Sequence, residues 1–545
     1  MGLPAWLWAA PLIFLGLFFF YPLSTVLRLA GEAALTEGLK GVLWIRLGSA
    51  LWFTFWQACV STLLTLLAGL PAAFVFARYR FRGKRLLSAL LTIPFILPTV
   101  VTAAGFNALL GPRGWVNGLL MSMFDLAAPP VTIINTVSAI LLAHVFYNTS
   151  VVIRVVGSVW AQLDNRLEQA ARSLGASHWR TFLEVTMPLL RPSILAATLL
   201  VFLFDFTSFG VVLLLGGPRF TTLEVEIYLQ TMQFLNLPFS GLLSLIQLAC
   251  TLSITLLYLW LNRRQPAPLA PRLSSGGLWL VHGWRSRLLV GGVVLGITLL
   301  LVLPLAALAL RSFLVVSSDG GLSLTLTYYR ELFINRRQTF FYVSPIVALR
   351  NSLVYGAATV VIALTLGLLA ASALNRRGRF ERWMDAVLML PLGTSAVTLG
   401  LGFLVVFSRP PVDLRSSPWL IPIAHSLVAL PFVVRTIQPV LASIPPVLRQ
   451  AAAVLGASPW RVRREVDLPI AARAALAGAV FSFTISLGEF GATSFLARPE
   501  YPTLPVAIFR FLSQPGDLNY GQAMAMASLL MLICGFSVLV IENIE

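Results

Sequence analysis

Gln169-Ala-Ala-Arg-Ser-Leu-Gly175-Ala-Ser-His-Trp179-Arg180, closing at Pro188, returns as Gln450-Ala-Ala-Ala-Val-Leu-Gly456-Ala-Ser-Pro-Trp460-Arg461, closing at Pro469. The 281-residue offset from Gln169 to Gln450 carries one copy onto the other without a gap. Each copy is a polar island in an apolar chain. Asp164-Asn165 followed by Glu168 has N-cap spacing, and Gln169, Ala170, Ala171 and Leu174 favour a helix that Gly175 can end in a left-handed turn. Ser177 then caps a second short helix, and Ser458-Pro459 does so in the other copy with proline at the first helical position. Trp179 and Trp460 fall at the elbows, and Pro188 and Pro469 mark entry into the next apolar run. An amphipathic helix pair lying under a bundle would share this pattern. A duplicated soluble-facing device between membrane segments, however, implies a duplicated partner.

Of 545 residues, 58% are hydrophobic and 11% charged, and the mean hydropathy is +0.86. Soluble domains carry roughly one-quarter charged residues, so this is the composition of a polytopic membrane protein. A net charge of +18 could suggest nucleic acid. The arginines instead sit in short loops between apolar runs, as they do in cytoplasmic loops, and no nucleic-acid partner is expected. Cys59, Cys250 and Cys534 lie inside apolar runs without CxxC spacing, which argues against a disulfide framework and a zinc site.

Runs long enough to cross a bilayer fall at 7–27, 51–77, 86–110, 131–153, 193–215 and 241–261, and again at 288–310, 352–374, 383–407, 418–434, 472–495 and 521–541. The expected fold is therefore all-α, with twelve transmembrane helices as two tandem six-helix units, 1–261 and 288–545. Between them 262–287 reads as a linker, opening Asn262-Arg-Arg-Gln-Pro-Ala-Pro and rich in Pro, Ser, Gly and Arg. The first run has no basic residue ahead of it and no small-residue cleavage site, so it reads as a retained helix. Arg78, Arg80, Arg82, Lys84 and Arg85 after the second run, and Arg376, Arg377, Arg379 and Arg382 after the eighth, place those loops in the cytoplasm. The repeated islands, the linker and both termini follow them inside. Arg28 after the first run points the other way, and the several inner loops outweigh it.

The duplication reaches further. At the same offset His144 meets His425, Arg154 meets Arg435, Glu184 meets Glu465, Phe209-Gly210 meets Phe490-Gly491, and Thr222-Leu223 meets Thr503-Leu504. Upstream the offset becomes 297, pairing Pro94 with Pro391 and Gly105-Phe106 with Gly402-Phe403, so an outer loop is 16 residues shorter in the second unit. An even helix count separates the copies. They are parallel repeats, related by a pseudo-two-fold axis along the membrane normal, with the substrate path expected on that axis.

Ala-Ala, Gly four residues on, and a hydrophobic-X-hydrophobic-Pro ending resemble the EAA motif of the membrane subunits of binding-protein-dependent ABC importers, here twice, at 169–188 and 450–469. The chain is similar throughout to the fused twelve-helix permeases of the thiamine and iron(III) importer group. The resemblance implies a type I importer-like fold in a bacterial plasma membrane. It also implies two copies of an ATPase subunit, an extracytoplasmic solute-binding protein, and no cofactor in this chain, ATP and magnesium being held by the ATPase. Gln169, Ala170, Ala171, Gly175, Trp179 and Pro188, with Gln450, Ala451, Ala452, Gly456, Trp460 and Pro469, would form the loops that couple to it. Gln169 and Gln450 depart from the motif's leading glutamate, which puts a salt bridge from that position in doubt. Leu141-Leu-Ala-His144-Val-Phe-Tyr-Asn148, Thr221-Thr-Leu-Glu224-Val-Glu-Ile-Tyr228 and Ser244-Leu-Ile-Gln247 resemble thiamine permeases most. Gly488-Glu-Phe-Gly491 and Thr503-Leu-Pro-Val506 suit iron(III), sulfate, molybdate or polyamine permeases equally.

Ionisable groups within the runs are few. Asp205 and Glu489 are candidates for the translocation path, because a carboxylate in lipid is costly, although interhelical hydrogen bonding would also explain them. His144 and His425 suit packing, with no second ligand at metal-like spacing. No Gly-x-x-x-x-Gly-Lys-Ser/Thr loop is present, so hydrolysis of ATP is expected in another polypeptide and no catalytic residue is assigned here. An ion-coupled secondary transporter would call for more intramembrane acids than these two.

Overall fold

The computed structural model describes residues 5–36, 41–263, 278–316, 322–336, 343–375, 378–408, 413–414 and 416–544. The first repeat comprises α1 (Ala9–Ala33), α2 (Leu43–Arg78), α3 (Ile93–Ile96), α4 (Thr99–Leu110), α5 (Val137–Gln162), α6 (Asn165–Ser173), α7 (His178–Phe206), α8 (Leu223–Met232) and α9 (Leu237–Leu261). The second comprises α10 (Gly283–Arg311), α11 (Pro345–Leu374), α12 (Arg379–Gly393), α13 (Ala396–Val406), α14 (Leu420–Ser443), α15 (Pro446–Val454), α16 (Pro459–Gly488), α17 (Leu504–Leu512) and α18 (Asp517–Val540). Among the described residues ten helices are long and apolar enough to cross a membrane, eleven if the bent pair α12–α13 is one span. Most of the backbone is helical because long apolar runs in lipid must satisfy their own N–H and C=O groups.

The third run of each repeat is not the continuous helix that 86–110 and 383–407 suggest. In the first repeat the chain turns extended at Leu97-Pro98, where proline supplies no N–H, and helix resumes at Thr99. In the second, α12 and α13 meet at 93° across Thr394-Ser395, and the Ser395 hydroxyl accepts from the Val397 and Thr398 N–H groups to start α13. The fifth spans also begin earlier than expected. The second short helix of each repeated island runs through a π turn, Phe182–Thr186 or Arg463–Asp467, directly into α7 or α16.

The two repeats exchange their first helices. Trp8, Phe14 and Phe19 pack in one buried cluster with Tyr355, Leu388 and Phe403 of the second repeat. Leu301 and Leu308 of α10 are buried with Val101 and Phe106 of α4. Both crossings depend on a glycine. A Cβ at Gly105 would come within 3.0 Å of the Pro304 carbonyl oxygen, and one at Gly402 within 2.9 Å of Pro22 Cβ. The duplicated Gly-Phe pair is thus a close-packing seat for the swapped helix.

The interrepeat segment, as far as it is described, returns to the first repeat. β2 (Trp279–Leu280) pairs in parallel with β1 (Tyr79–Arg80) at the end of α2. On the opposite face of the bundle, Leu314–Val316 and Leu322–Leu324 form a small antiparallel hairpin.

Candidate functional site

The two repeated islands adopt the same local structure, each step of which follows from its sequence. Asp164 caps α6 by accepting from the Arg166 N–H at 2.9 Å, while α15 instead opens on Pro445-Pro446. Both helices end on a glycine in the left-handed region, Gly175 at φ +90° and Gly456 at φ +84°. Ser177 and Ser458 then cap the next turn through the Arg180 and Arg461 N–H groups. Arg180–Glu184 and Arg461–Glu465 close equivalent ion pairs at 2.9 Å. What projects from each elbow is apolar and is left largely uncovered among the described residues. Leu174 and Trp179 are 89% and 69% exposed, and Val454, Leu455 and Trp460 are 87%, 87% and 65% exposed. Gln169, Ala170, Gln450 and Ala451 are exposed beside them, Ala171 and Ala452 are half-buried, and Pro188 and Pro469 stand just past the π turns within α7 and α16.

The attachment of the loops to the bundle differs. Glu168 accepts from Arg78 Nη2 at 2.5 Å and from the Thr186 hydroxyl at 3.0 Å, and Arg78 also donates to Asn165. At the equivalent positions of the second repeat the polarity is reversed, Arg449 donating to Asp467 at 2.7 Å and to the Leu441 carbonyl at 3.1 Å. Beneath the first loop, rings run without interruption from β2 to the elbow. Trp279 meets Phe74 at 6.0 Å, Phe74 meets Trp160 at 5.2 Å, Trp160 meets Phe182 at 6.3 Å and Phe182 meets Trp179 at 5.8 Å. Trp279 also carries the Arg78 guanidinium over its face at 5.8 Å. The counterparts of Trp160 and Phe182 are Leu441 and Arg463, so among the described residues the second repeat has no such ladder.

At the centre of the molecule the repeats meet on aromatic rings. Phe209 and Phe490, equivalent by the offset, stack at 5.5 Å and 25°. Tyr228 flanks Phe209 at 5.4 Å and its counterpart Phe509 flanks Phe490 at 5.5 Å. The glycines that follow the phenylalanines are needed there. A Cβ on Gly210 would lie 2.2 Å from Thr99 Oγ1 and one on Gly491 3.0 Å from Ala396 Cβ. Beside this plug, Glu224 of α8 reaches across the seam to Ser395.

The histidines and carboxylates singled out in the sequence come together within each repeat. His144 Nδ1 lies 2.9 Å from Ser61 Oγ and 3.4 Å from Asp205 Oδ1, and its Nε2 lies 2.8 Å from Ser208 Oγ. His425 Nδ1 lies 2.7 Å from Ser486 Oγ, and its Nε2 2.8 Å from Thr493 Oγ1 and 3.3 Å from Glu489 Oε2. Asp205 aligns with Ser486 and Ser208 with Glu489, so acid and hydroxyl have traded places around an invariant histidine position. Asp205 is enclosed by its own repeat, accepting from Asn148 at 2.7 Å. Glu489 accepts from the Ala492 and Thr493 N–H groups and adjoins a cavity of about 260 Å³ at the seam, lined also by Pro98, Thr99, Phe432 and Phe481. Sequence reasoning missed the Arg78–Glu168 tie, the aromatic ladder and the Glu224–Ser395 bridge. The transposed acid was visible in the offset, where Asp205 and Glu489 each align with serine.

A multi-pass helical membrane protein with two parallel repeats, swapped first helices and a plug on the repeat boundary is of the permease class. The family model for the binding-protein-dependent transport system inner membrane component matches residues 65–265 and again 363–544, and the chain belongs to this family. It is 28% identical to the probable ABC transporter permease protein y4fN of Sinorhizobium fredii, over 85% of this chain and 82% of that protein. It is 27% identical to the thiamine transport system permease protein ThiP of Escherichia coli, over 90% and 88% of the two chains. A putative 2-aminoethylphosphonate transport system permease protein, PhnV of Salmonella typhimurium, is 35% identical over 32% of this chain and 67% of its own.

Proposed function

We propose that this chain is the complete membrane path of an ATP-driven importer of thiamine, with each repeated loop seating one copy of a separate ATPase subunit. The observation that carries the reading is mechanical. α7 and α16 each run unbroken from an exposed apolar elbow, at Trp179 or Trp460, to within three residues of the plug at Phe209 or Phe490. A helix of 29 residues spans roughly 43 Å at about 1.5 Å per residue, so each is a lever across the bilayer. When two ATPase subunits close on ATP they draw the elbows together, and the far ends carry Phe209 and Phe490. Exposed Leu174, Trp179, Val454, Leu455 and Trp460 are the apolar anchors that each ATPase subunit takes up.

Cargo arrives from a solute-binding protein on the outer face, and the loops bearing Arg78–Arg85 and Arg379–Arg382 lie on the cytoplasmic side of the bacterial inner membrane together with both termini. Of the two carboxylates considered for the path, Glu489 adjoins the seam and is assigned to it, whereas Asp205 holds the first repeat's helices together. The name of the E. coli relative and the Thr221–Tyr228 and Ser244–Gln247 segments support thiamine; an iron(III) complex is the alternative cargo.

The test is uptake by vesicles containing the chain with its ATPase and binding protein. Thiamine should enter only with all three and ATP present. Uptake of ferric complexes in place of thiamine would replace the cargo, and uptake sustained by an ion gradient without any ATPase would replace the mechanism. Cysteines introduced at Arg82 and Gly175 should resist membrane-impermeant thiol reagents in intact cells while one at Arg113 reacts; the reverse pattern inverts the orientation.

A further inference from the structure

Glu224 is 1% exposed and bonds across the boundary between the repeats: Oε2 accepts from Ser395 Oγ at 2.7 Å and Oε1 from Gln247 Nε2 at 3.1 Å. Three other buried carboxylates of this molecule have charge partners or backbone donors. Glu226 faces Arg46, Glu331 faces Arg336, and Glu489 caps two N–H groups beside His425. Among the described residues Glu224 has no ion-pair partner, and the buried Oε1 of Gln247 next to it has no donor at all. The seam thus holds acceptors in excess and one uncompensated acid. An unpaired carboxylate is expensive to bury, and its place is by default functional.

Its neighbours are rings. Tyr228 stands one helical turn after Glu224 on the same face of α8, with its ring edge-on to Phe209 at 5.4 Å and to Phe495 at 5.5 Å, and Phe209 in turn stacks on Phe490. A carboxylate beside several aromatic faces is the chemistry that recognises an organic cation, ion pairing and cation–π attraction acting together in a site closed to water. The second repeat has Pro505 where the first has Glu224, so the acid is single and off the axis. One charge, offset from the plug, suits one cation passing at a time.

The geometry points to a transit site for a flat organic cation, in which Glu224 supplies the countercharge and Tyr228, Phe209, Phe490 and Phe495 supply the ring faces. The site opens when the levers separate Phe209 from Phe490 and the second repeat carries Ser395 away from Glu224. Gln247 remains on the same repeat as Glu224 and offers its free oxygen to a ring-amine donor of the cargo. This rests on the importer reading above and adds to it the residue that selects charge.

Equilibrium binding to the permease–ATPase complex in lipid nanodiscs, with ATP and vanadate present, tests the site using two probes, thiamine and benzyltrimethylammonium, against an uncharged aromatic of similar size. Both cations should bind wild type, and Glu224→Gln should weaken both at least tenfold. That substitution keeps the Ser395 bond, and a rotated Gln247 amide preserves the other, so the change reports charge. Glu224→Asp should recover part of the loss, and Tyr228→Leu should weaken both cations several-fold while leaving the acid in place. Absence of cation binding to wild type, equal binding of the uncharged probe, or unchanged affinity in Glu224→Gln overturns the site, even if thiamine is transported. Binding of benzyltrimethylammonium but not thiamine, lost in Glu224→Gln, upholds the site and overturns thiamine as the cargo.

Discussion

The first repeated loop rests on rings and a buried arginine; the second rests on prolines and one ion pair. Both display the same exposed elbow, because the left-handed glycine and the serine turn are common to the two sequences. Below that surface nothing is shared. Trp279, Phe74, Trp160, Phe182 and Trp179 form a ladder under the first loop, and Arg78 ties Glu168 to the strand within the interrepeat segment. The second loop begins at Pro445-Pro446 and is fastened by Arg449 to Asp467 and Leu441. The shape presented to a partner has been kept, while the means of holding it has diverged.

The largest expected effect comes from breaking what is common. Gly175→Pro or Gly456→Pro cannot satisfy φ near +90° or +84°, since proline is confined near −65°. Each should abolish ATP-driven uptake in vesicles while the chain still inserts and is recovered at normal yield. Normal uptake in both would remove the elbows from the mechanism.

Next come the anchors themselves. Trp179→Ala or Trp460→Ala should each cost about 2 kcal/mol of ATPase docking, roughly thirtyfold in affinity, by pull-down and by stimulated hydrolysis. Losing Trp179 also removes the last rung of a ladder, whereas Trp460 has no ring beneath it in the equivalent place, so the first substitution should be the more severe. Equal and small effects would show that the elbows are not the docking anchors.

Much of this was legible in the sequence. The repeat offset revealed the loops, the parallel repeats and the paired Phe-Gly steps, because short-range capping chemistry and close-packing glycines are written in consecutive residues. The third runs were misjudged in continuity because hydropathy is indifferent to Pro98 and to Thr394-Ser395, whose effect is on backbone hydrogen bonding. The Arg78–Glu168 tie and the Glu224–Ser395 bridge join residues 90 and 171 positions apart, and the ladder brings Phe74 to both Trp160 and Trp279. No local period reports such contacts, and the asymmetry between loops appeared only when partners could be seen.

A smaller effect should follow from cutting the first loop's support without touching its surface. Trp279→Ala removes a ring that contacts Phe74 and Tyr79 and covers Arg78. Amide exchange in 165–182 should quicken while that in 446–463 is unchanged, and substrate moved per ATP hydrolysed should fall two- to fivefold. Trp279→Phe should restore most of it. Equal quickening in both loops would mean that the ladder supports the bundle at large.

The smallest expected change tests whether the polarity of the loop fastening matters at all. Glu168–Thr186 and Arg449–Asp467 join equivalent positions at 3.0 and 2.7 Å. Arg449→Glu alone sets two carboxylates against each other beside the Leu441 carbonyl, which also loses one of its two donors, and should lower docking at the second loop by about 1 kcal/mol or more. Adding Asp467→Thr recreates the first repeat's pair and removes the repulsion. If the fastening serves only to fix the angle between α15 and α16, the double variant should return to within about twofold of wild type in uptake. A double variant no better than Arg449→Glu would show instead that the second loop needs a cation at that position, which the first obtains from Arg78. The comparison would then sharpen: both loops would require one arginine at the base of the elbow, delivered from within the helix in one repeat and from α2 in the other.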